Sequence, residues 1–98
     1  MPFLILTTDK PESLDLRNEL RPDHLDYLIS HQDKLLAAGA LLNDDGSGGH
    51  GGCIILDTED RTVAESFIEN DPFTINGLFS EIKVTRWRKG FFDSKKCI

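Results

Sequence analysis

The first half of the chain combines an apolar run with a helical pattern. Residues 3–7 are nearly all apolar, which predicts a short strand. Pro22 suits the first turn of a helix and Gly39 suits a C-terminal cap, so we predict a helix over residues 22–38. A turn around residues 14–20 precedes this helix. The apolar face of the helix consists of Leu25, Leu28, Ile29, Leu35 and Leu36.

The second half of the chain repeats this order with an additional strand. Residues 40–43 predict a second strand, and residues 53–56 predict a third after a glycine-rich turn at residues 43–52. A second helix ends at about Asn70, because the residue before a proline disfavours helical geometry. Residues 79–87 predict the last strand. The order β-α-β-β-α-β is that of a ferredoxin-like α+β fold, with an antiparallel four-stranded sheet and two helices on one face.

Two of the predicted strands are apolar at consecutive positions, which is typical of strands that are buried on both faces. The two helices cover only one face of the predicted sheet. We therefore predict a homodimer in which a second subunit packs sheet against sheet. The chain of 98 residues forms one small domain, and a domain of this size buries only about 60–65% of its unfolded surface. The tail after about residue 90 is expected to be peripheral.

Composition argues against several classes of partner. The net charge of −6 argues against binding to a nucleic-acid backbone. No apolar run approaches the ~20 residues of a membrane helix, and the N-terminus lacks the basic residues of a signal peptide. We therefore predict no membrane contact and a cytoplasmic location. Cys53 and Cys97 have no zinc spacing and fit a reducing compartment, although a disulfide between them stays open.

Metal and cofactor motifs are also missing from the sequence. The glycine-rich turn has neither the Gly-Lys-Ser/Thr end of a phosphate-binding loop nor the terminal glutamate of an EF-hand. His24, His31 and His50 lack the i,i+4 spacing of helical metal sites. We therefore predict neither a metal nor a cofactor.

His24 is the main candidate for proton transfer. On the predicted helix it lies in the first turn, at the border of the apolar face, where an imidazole is half-desolvated but reachable. The positive helix N-terminus would favour its neutral, basic form. Asp71 would accept from the imidazole N–H and fix the tautomer. Each residue also has a structural interpretation, as a surface or packing histidine and as the turn that Asp before Pro commonly opens.

Four further residues are candidates for contacting a ligand. Arg21 could neutralise an anionic group or point into solvent. Pro72 and Phe73 follow Asp71 directly, and the aromatic ring could wall a pocket or pack in the core. His50 could lie at the mouth of a pocket or stay in a loose loop.

These residues occur in a pattern that resembles the YCII-related (YciI-like) proteins. The pattern is an arginine three residues before a helical histidine, a glycine after that helix, a glycine before the third strand, and Asp-Pro-Phe followed by Gly-Leu. It covers roughly residues 1–90, and its Asp-Pro-Phe and Gly-Leu part is the most specific. In this sequence the pattern consists of Arg21, His24, Gly39, Gly52, Asp71-Pro72-Phe73 and Gly77-Leu78.

The resemblance implies a ferredoxin-like fold, a dimer of the dimeric α/β-barrel type, and an active site whose histidine and aspartate map onto His24 and Asp71. Some relatives are linked to dehydrochlorination of chlorinated hydroxyquinols, and neighbouring superfamilies hold isomerases and monooxygenases. The leading hypothesis is an enzyme of the YciI-like kind that performs elimination or isomerisation on a small acid, aromatic acids included. The alternative is a dimer that binds a small molecule in the same pocket without turnover.

Overall fold

The chain folds into four long strands and two long helices in the order expected from the sequence. The computed structural model describes residues 1–98 and contains β1 (Phe3–Asp9), α1 (Leu14–Ser30), β2 (Leu35–Leu41), β3 (Gly51–Leu56), α2 (Arg61–Glu69), α3 (Pro72–Ile75), β4 (Phe79–Arg86), β5 (Phe91–Phe92) and β6 (Lys95–Lys96). The four long strands pair antiparallel in the order β2-β3-β1-β4. This arrangement confirms the predicted ferredoxin-like α+β fold.

The first helix begins and ends earlier than predicted. α1 covers Leu14–Ser30, whereas the sequence pattern predicted residues 22–38. The segment 14–20 forms the first turns of this helix instead of a separate turn, because its leucine, arginine and glutamate residues are good helix formers. Pro22 therefore lies inside the helix and not in its first turn. His24 lies in the second half of α1, beyond the reach of the charge at the helix N-terminus that we expected to act on it.

Gly39 is a strand residue and not a helix cap. α1 ends at Ser30, and a single turn of 3-10 helix at Gln32–Lys34 leads into β2. β2 is longer than the predicted strand over residues 40–43, and Gly39 lies opposite Cys53 of β3. The backbone hydrogen bonds of this strand pair replace those of the predicted helix, so tertiary pairing outweighs the helical spacing of the leucines.

The hydrophobic core lies between one face of the sheet and the two long helices. Phe3 pairs with Leu56 and Ile5 pairs with Ile54, and residues directly opposite each other in an antiparallel pair share a face. The Tyr27 hydroxyl, on α1, donates a hydrogen bond of 2.6 Å to the Phe67 carbonyl and links the two helices. The buried core residues are Phe3, Ile5, Ile54, Leu56, Ala64, Phe67 and Ile68.

The opposite face of the sheet carries a second apolar group. Leu4 pairs with Ile55, and Leu6 pairs with Cys53, so these four side chains share the face that points away from the core. All four are half-buried within the single chain. This face is the one that we expected a second subunit to cover.

The tail adds a small element to the fold. β5 and β6 form a separate two-stranded hairpin there.

Three further features bear on the predictions from the sequence. Cys53 and Cys97 are both free thiols. None of the helices is long and apolar enough to cross a membrane. No three His, Cys, Asp or Glu side chains are grouped so that they could hold a metal ion.

Candidate functional site

A cavity of about 200 Å³ lies between α1 and the core face of the sheet. A cavity of ~150 Å³ lined by apolar side chains is large enough for benzene, so this volume suits one substituted ring or a small acid. The cavity combines an apolar lining with a few charged groups, which is the usual composition of a small-molecule site. Its polar and aromatic lining includes Thr7, Arg17, Arg21, His24, Asp71 and Phe73.

His24 and Asp71 are joined by hydrogen bonds in the wall of this cavity. The His24 Nδ1 atom lies 2.9 Å from each of the two carboxylate oxygens of Asp71. The His24 side chain is 16% exposed, and the Asp71 side chain is fully buried. An ionised carboxylate only accepts hydrogen bonds, so Nδ1 carries the hydrogen and Nε2 holds the lone pair of the neutral ring.

The local fold around Asp71 places its carboxylate. Asp71 caps α3, and its Oδ1 atom accepts from the Phe73 backbone N–H at 2.9 Å. Pro72 occupies the first turn of that short helix, where its missing N–H costs nothing. A buried carboxylate requires such partners, because an unpaired one would be strongly destabilising. The turn interpretation of Asp-Pro and the pairing with His24 are therefore both true of this residue.

Phe73 sets the plane of the imidazole. Its ring stacks on His24 with a centroid distance of 4.0 Å and an angle of 15° between the planes. Phe73 is 2% exposed and meets Phe79 edge to face at 5.9 Å. His24 is thus held by a charge at its Nδ1 edge and by an aromatic ring against its face.

Tyr27 lies near the same carboxylate. Burial raises the pKa of the Tyr27 phenol, and the negative charge of Asp71 raises it further. The phenol therefore keeps its proton, and its hydroxyl donates a hydrogen bond to the Phe67 carbonyl. Its role is to join the helices around the site.

The other predicted ligand contacts fall into two groups. Arg21 and Phe73 line the cavity with the His24–Asp71 pair, and Arg21 does so from an exposed position on α1. Pro72 is half-buried at the start of α3 and does not line the cavity. His50 does not line it either, because it lies in the loop before β3, where its backbone N–H donates to the Leu41 carbonyl.

Sequence reasoning missed a second charged pair beside the cavity. The Arg17 Nε atom lies 3.6 Å from the Asp9 carboxylate, and both side chains are at least nine-tenths buried. Burial raises the pKa of the Asp9 carboxyl, while the charges of Arg17 and His50 oppose that shift. The missed signal was the spacing of Arg17, Arg21 and His24, which lie on one face of a helix that begins at Leu14.

Known proteins are similar to this chain in sequence and in fold. The sequence model of the YCII-related domain family matches residues 1–88. The chain belongs to the YCII-related family. Its members include the protein YciI of Escherichia coli O6:H1, which is 31% identical over an alignment of 98 positions that covers 93% of this chain and all of that relative.

Solved structures of other proteins have the same fold as this YCII-related protein. The 5-chloro-2-hydroxyhydroquinone dehydrochlorinase of Burkholderia phenoliruptrix AC1100, in complex with 2,5-dihydroxybenzoquinone, is 37% identical with a TM-score of 0.83. The match covers 90% of this chain and 94% of that enzyme. A structure assigned to the antibiotic biosynthesis monooxygenases, from Bacteroides thetaiotaomicron, covers 95% of this chain with a TM-score of 0.58 at 15% identity, which shows a shared fold alone.

Proposed function

We propose that this YCII-related protein is an acid–base enzyme in which the His24–Asp71 pair transfers protons to and from a small ring or acid in the cavity. The observation that carries the proposal is the bond between His24 Nδ1 and a fully buried Asp71. A base held by a carboxylate and open to a cavity is the arrangement that general acid–base catalysis requires. The reaction class is elimination or isomerisation.

His24 accepts the proton at Nε2 in this proposal. Asp71 keeps the hydrogen of the neutral ring on Nδ1 and stabilises the imidazolium that forms when Nε2 is protonated. Phe73 holds the imidazole plane against rotation, because the two rings are stacked. The pair therefore supplies orientation as well as charge, and both are fixed before the substrate binds.

A chlorinated hydroxyhydroquinone is the substrate that we propose testing first, since a relative that is 37% identical is a dehydrochlorinase of such a compound. Ketonisation moves a proton from a ring hydroxyl to the carbon that bears chlorine. A second ring hydroxyl then loses its proton while the C–Cl bond breaks and chloride leaves with its electron pair. The net change is loss of one proton and one chloride, so no oxidant is needed. His24 carries the protons in both steps.

The test measures chloride release and quinone absorbance with 5-chloro-2-hydroxyhydroquinone. We expect His24→Asn to lower kcat by about 10²–10⁴-fold, because that is the usual contribution of a positioned general base. His31→Asn is the matched control, since His31 is a partly buried histidine near the end of α1 that does not line the cavity. Equal turnover by the parent and His24→Asn would contradict the proposal.

The same experiment distinguishes a second candidate function from the first. If the folded parent binds 2,5-dihydroxybenzoquinone but releases no chloride from the chlorinated compound or other halogenated hydroquinones, the cavity is a binding site without turnover. The protein is then a small-molecule-binding module built on the same fold.

We also propose that the protein is a homodimer, located in the cytoplasm, whose subunits meet through the sheet face of Leu4, Leu6, Cys53 and Ile55. The support is the half-buried state of these apolar side chains within one chain. Burying apolar surface at ~25 cal/mol per Å² gives such a face a strong tendency to associate. The second subunit would cover the outer face of the sheet and leave the cavity on the helical side.

A further inference from the structure

Arg17 has unused hydrogen-bonding capacity at the cavity wall. Its Nη2 atom donates to the Gly51 carbonyl at 2.6 Å, and its Nε atom lies 3.6 Å from Asp9. The buried Nη1 atom has no hydrogen-bond partner, and neither carboxylate oxygen of Asp9 has one. Buried charged groups are normally satisfied by protein, water or ligand, so a cation with free donors beside a cavity needs an explanation.

Two glycines leave the guanidinium room beside the cavity. A Cβ atom on Gly49 would lie 2.9 Å from Arg17 Nε, so only glycine lets the arginine occupy its position. A Cβ atom on Gly52 would lie 3.2 Å from the Thr7 hydroxyl oxygen and 4.0 Å from Arg17 Nη2. The space in front of Gly52 is therefore bordered by a hydroxyl group and a guanidinium group, both of which belong to residues that line the cavity.

Arg17 and His24 also share an aromatic neighbour. The Arg17 Cζ atom lies 4.9 Å from the centroid of the Phe73 ring, and the His24 ring stacks on Phe73 at 4.0 Å. The guanidinium and the imidazole are therefore no further apart than the sum of these two distances. Both side chains line the same cavity, so one small ligand in it can reach both groups.

We propose that Arg17 and Thr7 form an anion-binding subsite in front of Gly52, which holds a carboxylate or a ring oxyanion of a small planar ligand while the opposite side of that ligand faces His24. The inference rests on the proposed function for the role of His24, but the binding of the anion does not depend on turnover. Guanidinium donors bind planar oxyanions through charge-assisted hydrogen bonds, and Thr7 supplies a hydroxyl donor.

Arg21 is the competing candidate for anion recognition. Arg21 is exposed, so water and salt weaken its attraction for an anion. Arg17 is 7% exposed and is fixed by the Gly51 carbonyl and by Asp9. A desolvated, preorganised cation contributes more to binding than a mobile one at the rim.

The test compares three probes by heteronuclear NMR titration: benzoate, 4-nitrophenolate at a pH where it is ionised, and neutral benzamide. We expect the parent to bind at least one of the two anions about tenfold or more tightly than benzamide, as hydrogen bonds to a charged group imply. The anion that binds tells a carboxylate subsite from a ring-oxyanion subsite. Failure of both anions to bind more tightly than benzamide would overturn the proposal.

Three arginine variants assign the subsite. Arg17→Met should remove the preference for the anion over benzamide. Arg88→Met, which changes an exposed arginine just after β4, is the matched control that should retain it. Arg21→Met should weaken binding of the anion less than Arg17→Met does. A loss in Arg21→Met that equals or exceeds the loss in Arg17→Met would assign recognition to Arg21 and refute the proposal.

A measurement on the unmodified protein covers the case in which Arg17→Met does not fold. The Nε–H resonance of Arg17 should shift on saturation with the anion that binds and should not shift with benzamide. An unchanged resonance would overturn the proposal. Because binding is the readout, a protein that binds anions through Arg17 but performs no elimination refutes the proposed function and leaves this subsite standing.

Discussion

The imidazole of His24 lies parallel to the ring of Phe73, with centroids 4.0 Å apart and planes inclined by 15°. The stacking adds a steric restraint to the electrostatic one from Asp71, because the ring cannot rotate about its bond to Asp71 without meeting Phe73. Asp71 binds the backbone N–H of Phe73 as well, so one carboxylate positions both rings. Four predictions follow from this site and from the sheet that supports it.

Phe73→Leu should lower kcat about tenfold while preserving the fold. Leucine fills part of the volume but leaves the imidazole free to tilt, so the proton-accepting nitrogen is misplaced in a fraction of molecules. The matched control is Phe67→Leu, which removes another buried ring, on α2, that does not stack on His24. Steady-state kinetics beside denaturant unfolding separate the two effects, and equal kcat losses in both variants would disprove an orienting role.

Asp71→Ala should destabilise the protein by about 2–4 kcal/mol, because it leaves two donors, the His24 Nδ1–H and the Phe73 backbone N–H, without an acceptor, and each buried donor left unsatisfied costs about 1–3 kcal/mol. Asp60→Ala is the control, since Asp60 caps α2 through its bond to the Thr62 N–H at an exposed position. An ordinary cap is worth about 1 kcal/mol. Urea unfolding of both variants measures the difference. Equal losses would mean that Asp71 acts as a helix cap alone.

Asp9→Asn should change how stability depends on pH. Burial raises the pKa of the Asp9 carboxyl above its ordinary value of 3.8, so the folded state holds this proton more tightly than the unfolded state does. The unfolding free energy of the parent therefore loses a contribution as pH rises upward from that value. Asparagine does not titrate, so the variant should gain stability relative to the parent over the same range. Urea unfolding at a series of pH values tests this, and parallel curves would contradict it.

Leu6→Glu should convert the proposed dimer into a monomer of 11.0 kDa. Leu6 lies on the outer face of the sheet, and a carboxylate there would be desolvated at the proposed interface. Ile75→Glu is the control, because Ile75 is an exposed apolar residue on α3 and lies off the sheet. Sedimentation velocity at micromolar concentration reads the outcome. A parent that sediments as a monomer would refute the dimer itself.

Most of the element order could be predicted from the sequence, because β1, β3, α2 and β4 are each marked by local signals. The apolar runs locate the strands, and the proline after Asp71 ends α2 close to Asn70, as predicted. The pair of His24 and Asp71 could also be singled out, because both residues belong to the pattern that resembles the YCII-related proteins. Local signals of this kind survive folding because tertiary contacts reinforce them.

The bounds of the first helix and the place of Arg17 at the site could not be predicted, for one common reason. Leu35 and Leu36 continue the helical spacing of the preceding leucines, but they belong to a strand whose partner, β3, lies across a loop. The local sequence does not show whether a short apolar segment will continue a helix or pair as a strand. Because the predicted helix began too late, it left out Arg17. The helical face that Arg17 shares with Arg21 and His24 was therefore not recognised.

The glycines beside Arg17 divide the loop before β3 into two parts with different tolerance to engineering. A side chain on Gly51 would collide with the Thr7 carbonyl, and one on Gly49 would displace Arg17. Gly46 has a φ of +84°, which favours glycine, but the space around it is open, with no atom within 4 Å of an added Cβ. Residues 44–46 are exposed at the tip of the loop. A peptide tag inserted there would leave the cavity wall intact, while the same insertion three residues later would displace Arg17 from that wall.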